Sequence, residues 1–145
     1  MKAKERPTGG RGGGPALRVL VADRSAHFRE TLRRVLLQCP NNELIAEAQN
    51  LARAVRLARE LRPEVVLLDV DLVIDQPATR LRRLAEAFPH LRVVVMLNED
   101  SADYRHAVLQ RWGYPCMVKS EAEEDVEGIV SAVRPARRSS LRCGV

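Results

Sequence analysis

A chain of 145 residues, 46% apolar and 30% charged, is long enough for one self-sufficient core and too ordinary in composition for a fibrous or wholly disordered protein. Cys39, Cys116 and Cys143 are odd in number, scattered and without Cys-x-x-Cys spacing, which argues against a disulfide framework or a zinc site, and no apolar run approaches the ~20 residues of a bilayer span. The formal charge of +5 lies in the tails, since Lys2, Lys4, Arg6 and Arg11 outweigh Glu5 at one end and Arg134, Arg137, Arg138 and Arg142 stand alone at the other; residues 16–133 are slightly acidic. A soluble, cytoplasmic protein with no membrane partner is expected.

Residues 1–15 combine five glycines and two prolines with several charges and read as a disordered leader. Leu17–Ala22 follows as a continuous apolar run, the pattern of a parallel strand buried on both faces. Phe28, Leu32, Val35, Leu36 and Cys39 then recur at helical spacing. A weaker strand is expected at Leu44–Ala48, and Leu51, Val55, Ala58 and Leu61 line a second helix that ends before Pro63. Val65–Asp69 is the next buried run. A third helix carries Leu81, Leu84, Ala85 and Phe88, with Pro77 placed for its first turn. Val93–Leu97 is another strand, and Tyr104, Ala107, Val108 and Trp112 mark a fourth helix that Ser101 is placed to cap. A short strand is expected at Cys116–Lys119. Ser120 and Glu123 form a capping box before a fifth helix on Val126, Ile129, Val130 and Val133, and residues 134–145 read as a basic, disordered tail.

Five β-α units in succession predict a parallel sheet with helices on both faces, in one domain over residues 16–133. In such a sheet, function collects at the carboxyl ends of the strands beside the chain reversal. Asp23 and Asp69 each directly follow an apolar run, so adjacent strands would bring their carboxylates into one pocket. Converging carboxylates suit Mg²⁺, and a carboxylate beside that ion can act as a nucleophile toward a phosphoryl group. Lys119, at the end of the fifth strand, adds a point charge for phosphoryl oxygens.

The stretches LRVLVAD at 17–23, FRETLRRVL at 28–36, RPEVVLLDVDL at 62–72, PHLRVVVM at 89–96 and CMVK at 116–119 together resemble a response-regulator receiver domain of the LuxR/NarL-like subfamily. The resemblance implies a flavodoxin-like, doubly wound (βα)5 fold with strand order 2-1-3-4-5. It implies Asp69 as phospho-acceptor, Lys119 as a phosphoryl contact, and Mg²⁺ held by Asp23, Asp69 and the main-chain carbonyl or side chain of Asp71. A histidine kinase or phosphotransfer protein would supply the phosphoryl group, and a downstream protein would meet the face formed by the fourth helix, fifth strand and fifth helix. Homodimers fit the same family pattern.

Three positions depart from the family's pattern. Arg24 stands where a second acidic metal ligand is usual, and within reach of Asp23 and Asp69 it would pair with them and fill the metal's place. Leu97 replaces the switch Ser or Thr, and Cys116 the switch aromatic residue. A stand-alone receiver is expected, not an enzyme and, because no helix-turn-helix pattern follows the tail, without a DNA-binding output domain. The alternative is a phosphorylation-independent pseudo-receiver acting as a protein–protein interaction module. Weak contact of the basic tails with nucleic acid is a third expectation.

Overall fold

Valine- and leucine-rich runs become strands where both faces can be buried, and Leu17–Ala22 forms β1 of a five-stranded parallel sheet in the computed structural model of the chain. The structure describes residues 16–75, 78–99 and 102–122, apart from the side chains at 78, 80, 81, 104, 109 and 112. The expected leader, basic tail, fifth helix, capping-box Glu123, Pro77 and Ser101, and the side chains of Tyr104 and Trp112, lie outside that set.

After β1 come α1 (Ala26–Leu37), β2 (Asn42–Ala48), α2 (Leu51–Leu61), β3 (Val65–Asp69), α3 (Ala78–Ala87), β4 (Arg92–Leu97), α4 (Ala102–Trp112) and β5 (Cys116–Val118). Short 3-10 turns follow β3 at Val70–Leu72 and β5 at Lys119–Glu121. The sheet order is β2-β1-β3-β4-β5, every pairing parallel, which is the order implied by the sequence. The reversal beside β1 places the ends of β1 and β3 next to each other, with Ala22 opposite Leu68. β2 starts two residues earlier than its apolar pattern suggests, because it is an edge strand whose middle is only half buried. Its register against β1 shifts between Val19 and Leu20.

Side-chain alternation along the strands builds two core layers. Val19, Val21, Val65 and Leu67 pack with Leu32 and Leu36 of α1 on one face. Leu20, Val66, Leu68, Val95 and Leu97 pack with α2, α3 and α4 on the other. Local signals set the helix ends. The Ser25 hydroxyl accepts from the Phe28 amide at 3.0 Å at the start of α1, and Asn50 Oδ1 accepts from the Arg53 amide at 2.8 Å at the start of α2. α2 closes on Arg62, whose left-handed backbone (φ 53°) precedes Pro63, and the Arg62 carbonyl accepts from Arg18 Nη1 at 2.7 Å. Asn50→Ala is expected to lower stability by about 1 kcal/mol. The thermal unfolding midpoint reads this directly, and an unchanged midpoint would mean that the start of α2 is held by packing alone.

Candidate functional site

The pocket forms where β1 and β3 end. Asp23 is 0% exposed and Asp69 is 1% exposed, so two carboxylates are buried at adjacent strand ends. Burial of charge is costly unless it is paired, and here one cation meets both. The Lys119 ammonium, carried from the end of β5, lies 2.7 Å from Asp23 Oδ2 and 3.2 Å from Asp69 Oδ1. It also sits 5.0 Å from the centroid of the Phe28 ring, so the lysine is fixed from a third side.

Main-chain groups orient the carboxylates. Ser25 N–H donates to Asp23 Oδ1 at 2.8 Å, and Asp71 N–H donates to Asp69 Oδ1 at 3.0 Å. The Asp23 amide donates to the Ala48 carbonyl at 2.9 Å, which ties the loop after β1 to the end of β2. Arg29 of α1 donates to the Asp23 carbonyl at 2.7 Å, while its other edge pairs with Glu47 of β2 at 3.1 Å. Asp23 Oδ2 is different. It is fully buried and no donor meets it at hydrogen-bonding angles, so Lys119 contacts it as an ion pair and the oxygen keeps unused coordinating capacity.

Arg24 does not enter this pair. Sequence reasoning sets it against Asp23 and Asp69; instead its guanidinium reaches Asp71 Oδ2 at 3.2 Å, with 63% of the side chain exposed. The cation between the two buried carboxylates is Lys119. The reason is local: Arg29 draws the Asp23 carbonyl toward α1, and the Arg24 side chain runs across the mouth of the pocket. Asp71 Oδ2 also accepts from Asn98 Nδ2 at 2.9 Å, so the Asp71 side chain faces Arg24 and Asn98. Asn98 was missed by sequence reasoning; its only signal is that it is the first polar residue after the β4 run.

Leu97 is 0% exposed and packed in the core, so it offers the pocket no hydrogen-bonding group. Cys116 is half buried, and burial pushes its thiol pKa up, with Arg105 partly opposing the rise. A thiol held protonated in this way is a poor nucleophile. His27, His90 and His106 are exposed and scattered. Among the described residues, no three His, Cys, Asp or Glu side chains gather as a ready metal site, and no helix is long and apolar enough to cross a membrane.

The structure thus sets a buried acidic pair at the switch point of a 2-1-3-4-5 sheet with the Lys119 ammonium between the two carboxylates. The family model for the response regulator receiver domain matches residues 19–131. The chain belongs to the response regulator receiver family. This receiver is 25% identical over 118 residues to the transcriptional regulatory protein DegU of Brevibacillus brevis, covering 81% of this chain and 49% of DegU. Its fold is similar to the NarL receiver domain of Mycobacterium tuberculosis, with TM-score 0.70, 22% identity, and coverage of 83% of this chain and 98% of that one. It is also similar to Salmonella typhimurium RcsB, a response regulator studied for its DNA interaction, with TM-score 0.73, 18% identity, and coverage of 83% and 60%.

The likeness to DegU supports the LuxR/NarL-like subfamily, and the relatives overturn one expectation. The receiver spans about half the length of DegU, a transcriptional regulator, and 60% of RcsB, which interacts with DNA. The expected absence of a DNA-binding output domain rested only on where the chain ends, and it is withdrawn.

Proposed function

We propose that this receiver accepts a phosphoryl group on Asp69 from a histidine kinase or phosphotransfer protein. The observation that carries the reading is the buried Asp23–Asp69 pair sharing the Lys119 ammonium. An Asp69 carboxylate oxygen forms the new bond to phosphorus as the bond from phosphorus to the donor's imidazole nitrogen breaks. The imidazole leaves with that electron pair and takes its proton from water. Lys119 is near enough to Asp69 to move onto the phosphoryl oxygens.

The donor set fits Mg²⁺, which takes one or two carboxylates and retains several waters. Asp23 and Asp69 would hold it together with a main-chain carbonyl near Asp71, and the buried Asp23 Oδ2, which meets the Lys119 ammonium as an ion pair but accepts no hydrogen bond, is the observation that favours a second cation. When bound, the ion neutralises the repulsion between the carboxylates and the incoming phosphoryl group. Borohydride trapping after treatment with a small-molecule phosphodonor tests the acceptor. Reduction confined to residue Asp69, placed by fragment sequencing of the peptide that holds both Asp69 and Asp71, is expected; trapping at Asp23 or Asp71 would assign the acceptor elsewhere.

A second reading, a phosphorylation-independent interaction module, is favoured by Leu97. Its complete burial leaves the usual hydroxyl position without a polar group, and Cys116 supplies no aromatic ring. The two readings separate on whether any acyl phosphate forms.

A further inference from the structure

We propose that Asn98 is the hydrogen-bond donor that meets the phosphoryl group from the end of β4, and that Asp71 holds it ready until the group arrives. The inference rests on Asp69 being the phospho-acceptor. Three observations carry it.

The first is position. Asp69 pairs with Met96 in the β3–β4 register, and Asn98, two residues past Met96, meets the side chain of Asp71, two residues past Asp69. Asp71 in turn clasps the acceptor through its own amide, at 3.0 Å from Asp69 Oδ1. The Asn98 amide is therefore one residue away from the acceptor carboxylate in the hydrogen-bond chain. Met96 and Leu97, the residues before it, are both 0% exposed and apolar, so Asn98 is the first polar side chain that β4 brings to this edge.

The second is that the Asn98 bond can be surrendered without leaving a polar group alone. Asp71 Oδ2 accepts from Asn98 Nδ2 at 2.9 Å and from Arg24 Nη2 at 3.2 Å. One carboxylate oxygen thus serves two donors, and if Asn98 leaves, Arg24 remains on it. The third is freedom of movement. Asn98 is exposed, so a rotation of its side chain repacks nothing.

A phosphoryl group on Asp69 adds oxygens that carry more charge than a carboxylate oxygen already shared by two donors. Both acceptors are ionised, so the larger charge decides: the phosphoryl group carries about two negative charges against the one that the Asp71 carboxylate already shares with Arg24, and the amide transfers from Asp71 to the phosphoryl oxygen. Asn98 then does from one position later what Leu97 has no atom to do. The coupling between phosphorylation and the loop after β4 passes through an amide in place of a hydroxyl.

Beryllofluoride, a tetrahedral phosphoryl mimic, tests this with Mg²⁺ present and amide NMR as the readout. Asn98→Ala should weaken beryllofluoride by roughly tenfold, as expected for losing one hydrogen bond to a charged group, whereas Asn98→Thr, which keeps a donor, should stay within about threefold of wild type. Asp71→Ala should bind at least as tightly as wild type, because it releases the amide in advance. Wild-type binding with Asn98→Ala unchanged overturns the inference and leaves the phosphoryl reading intact. Equal weakening in the Ala and Thr variants overturns it as well, since the donor would then be irrelevant. If beryllofluoride does not bind the wild-type protein and no phosphodonor modifies it, the phosphoryl reading falls and this inference falls with it.

Discussion

Replacing Lys119 by methionine is expected to destabilise the receiver and, at the same time, to make Mg²⁺ a stronger stabiliser. The ammonium is the cation that both buried carboxylates share, and methionine keeps much of the length without the charge. Removing one partner from a buried ion pair leaves charge uncompensated at a cost of several kcal/mol; with the Lys119 side chain still 16% exposed, about 2–3 kcal/mol is expected here. The same vacancy favours a divalent ion, because the lysine no longer competes for Asp23 Oδ2 and Asp69 Oδ1. Thermal unfolding with and without Mg²⁺ reads both effects. A midpoint equal to wild type, with an equal response to Mg²⁺, would show that Lys119 is not the counter-ion of the pocket.

The second large effect is expected at Arg24. Arg24→Asp reverses a charge at the pocket mouth and releases Asp71 from its ion pair. A unit charge at ~4 Å is worth about 4 kcal/mol at an effective dielectric of 20. The Arg24 side chain is 63% exposed, so most of that is screened, and a gain in Mg²⁺ affinity of about tenfold is the expectation. Isothermal titration measures it. An affinity that does not move would mean that Arg24 acts only on Asp71 and has no hold on the metal.

Much of this fold can be read from sequence because the central strands carry their own signature. Val65–Asp69, apolar up to its closing aspartate, and Val93–Leu97, apolar throughout, have the pattern of strands covered on both faces, and they differ from the observed β3 and β4 by at most one residue. The edge strand β2 is harder. Its middle is half buried, its register shifts against β1, and its first residues are polar, so the pattern begins later than the pairing does. The acidic pair and the lysine were legible because strand ends fix where Asp23, Asp69 and Lys119 point. Arg24 and Asn98 were not. Both sit on loops, where the direction of a long or exposed side chain is set by neighbours distant in sequence. Arg29, in the first turn of α1, binds the Asp23 carbonyl beside Arg24 and has no signature of its own. The presence or absence of an output domain was illegible for another reason: a receiver's sequence carries no record of what is fused to it.

The central claim is that Asp69 accepts a phosphoryl group in this pocket. Intact mass after incubation with a small-molecule phosphodonor, with and without Mg²⁺, tests it most directly when wild type and Asp69→Asn are run side by side. The account predicts one Mg²⁺-dependent phosphoryl adduct on the wild-type protein and none on the variant, with the two proteins equally folded. No adduct on the wild type, or an adduct that persists in Asp69→Asn, would contradict it.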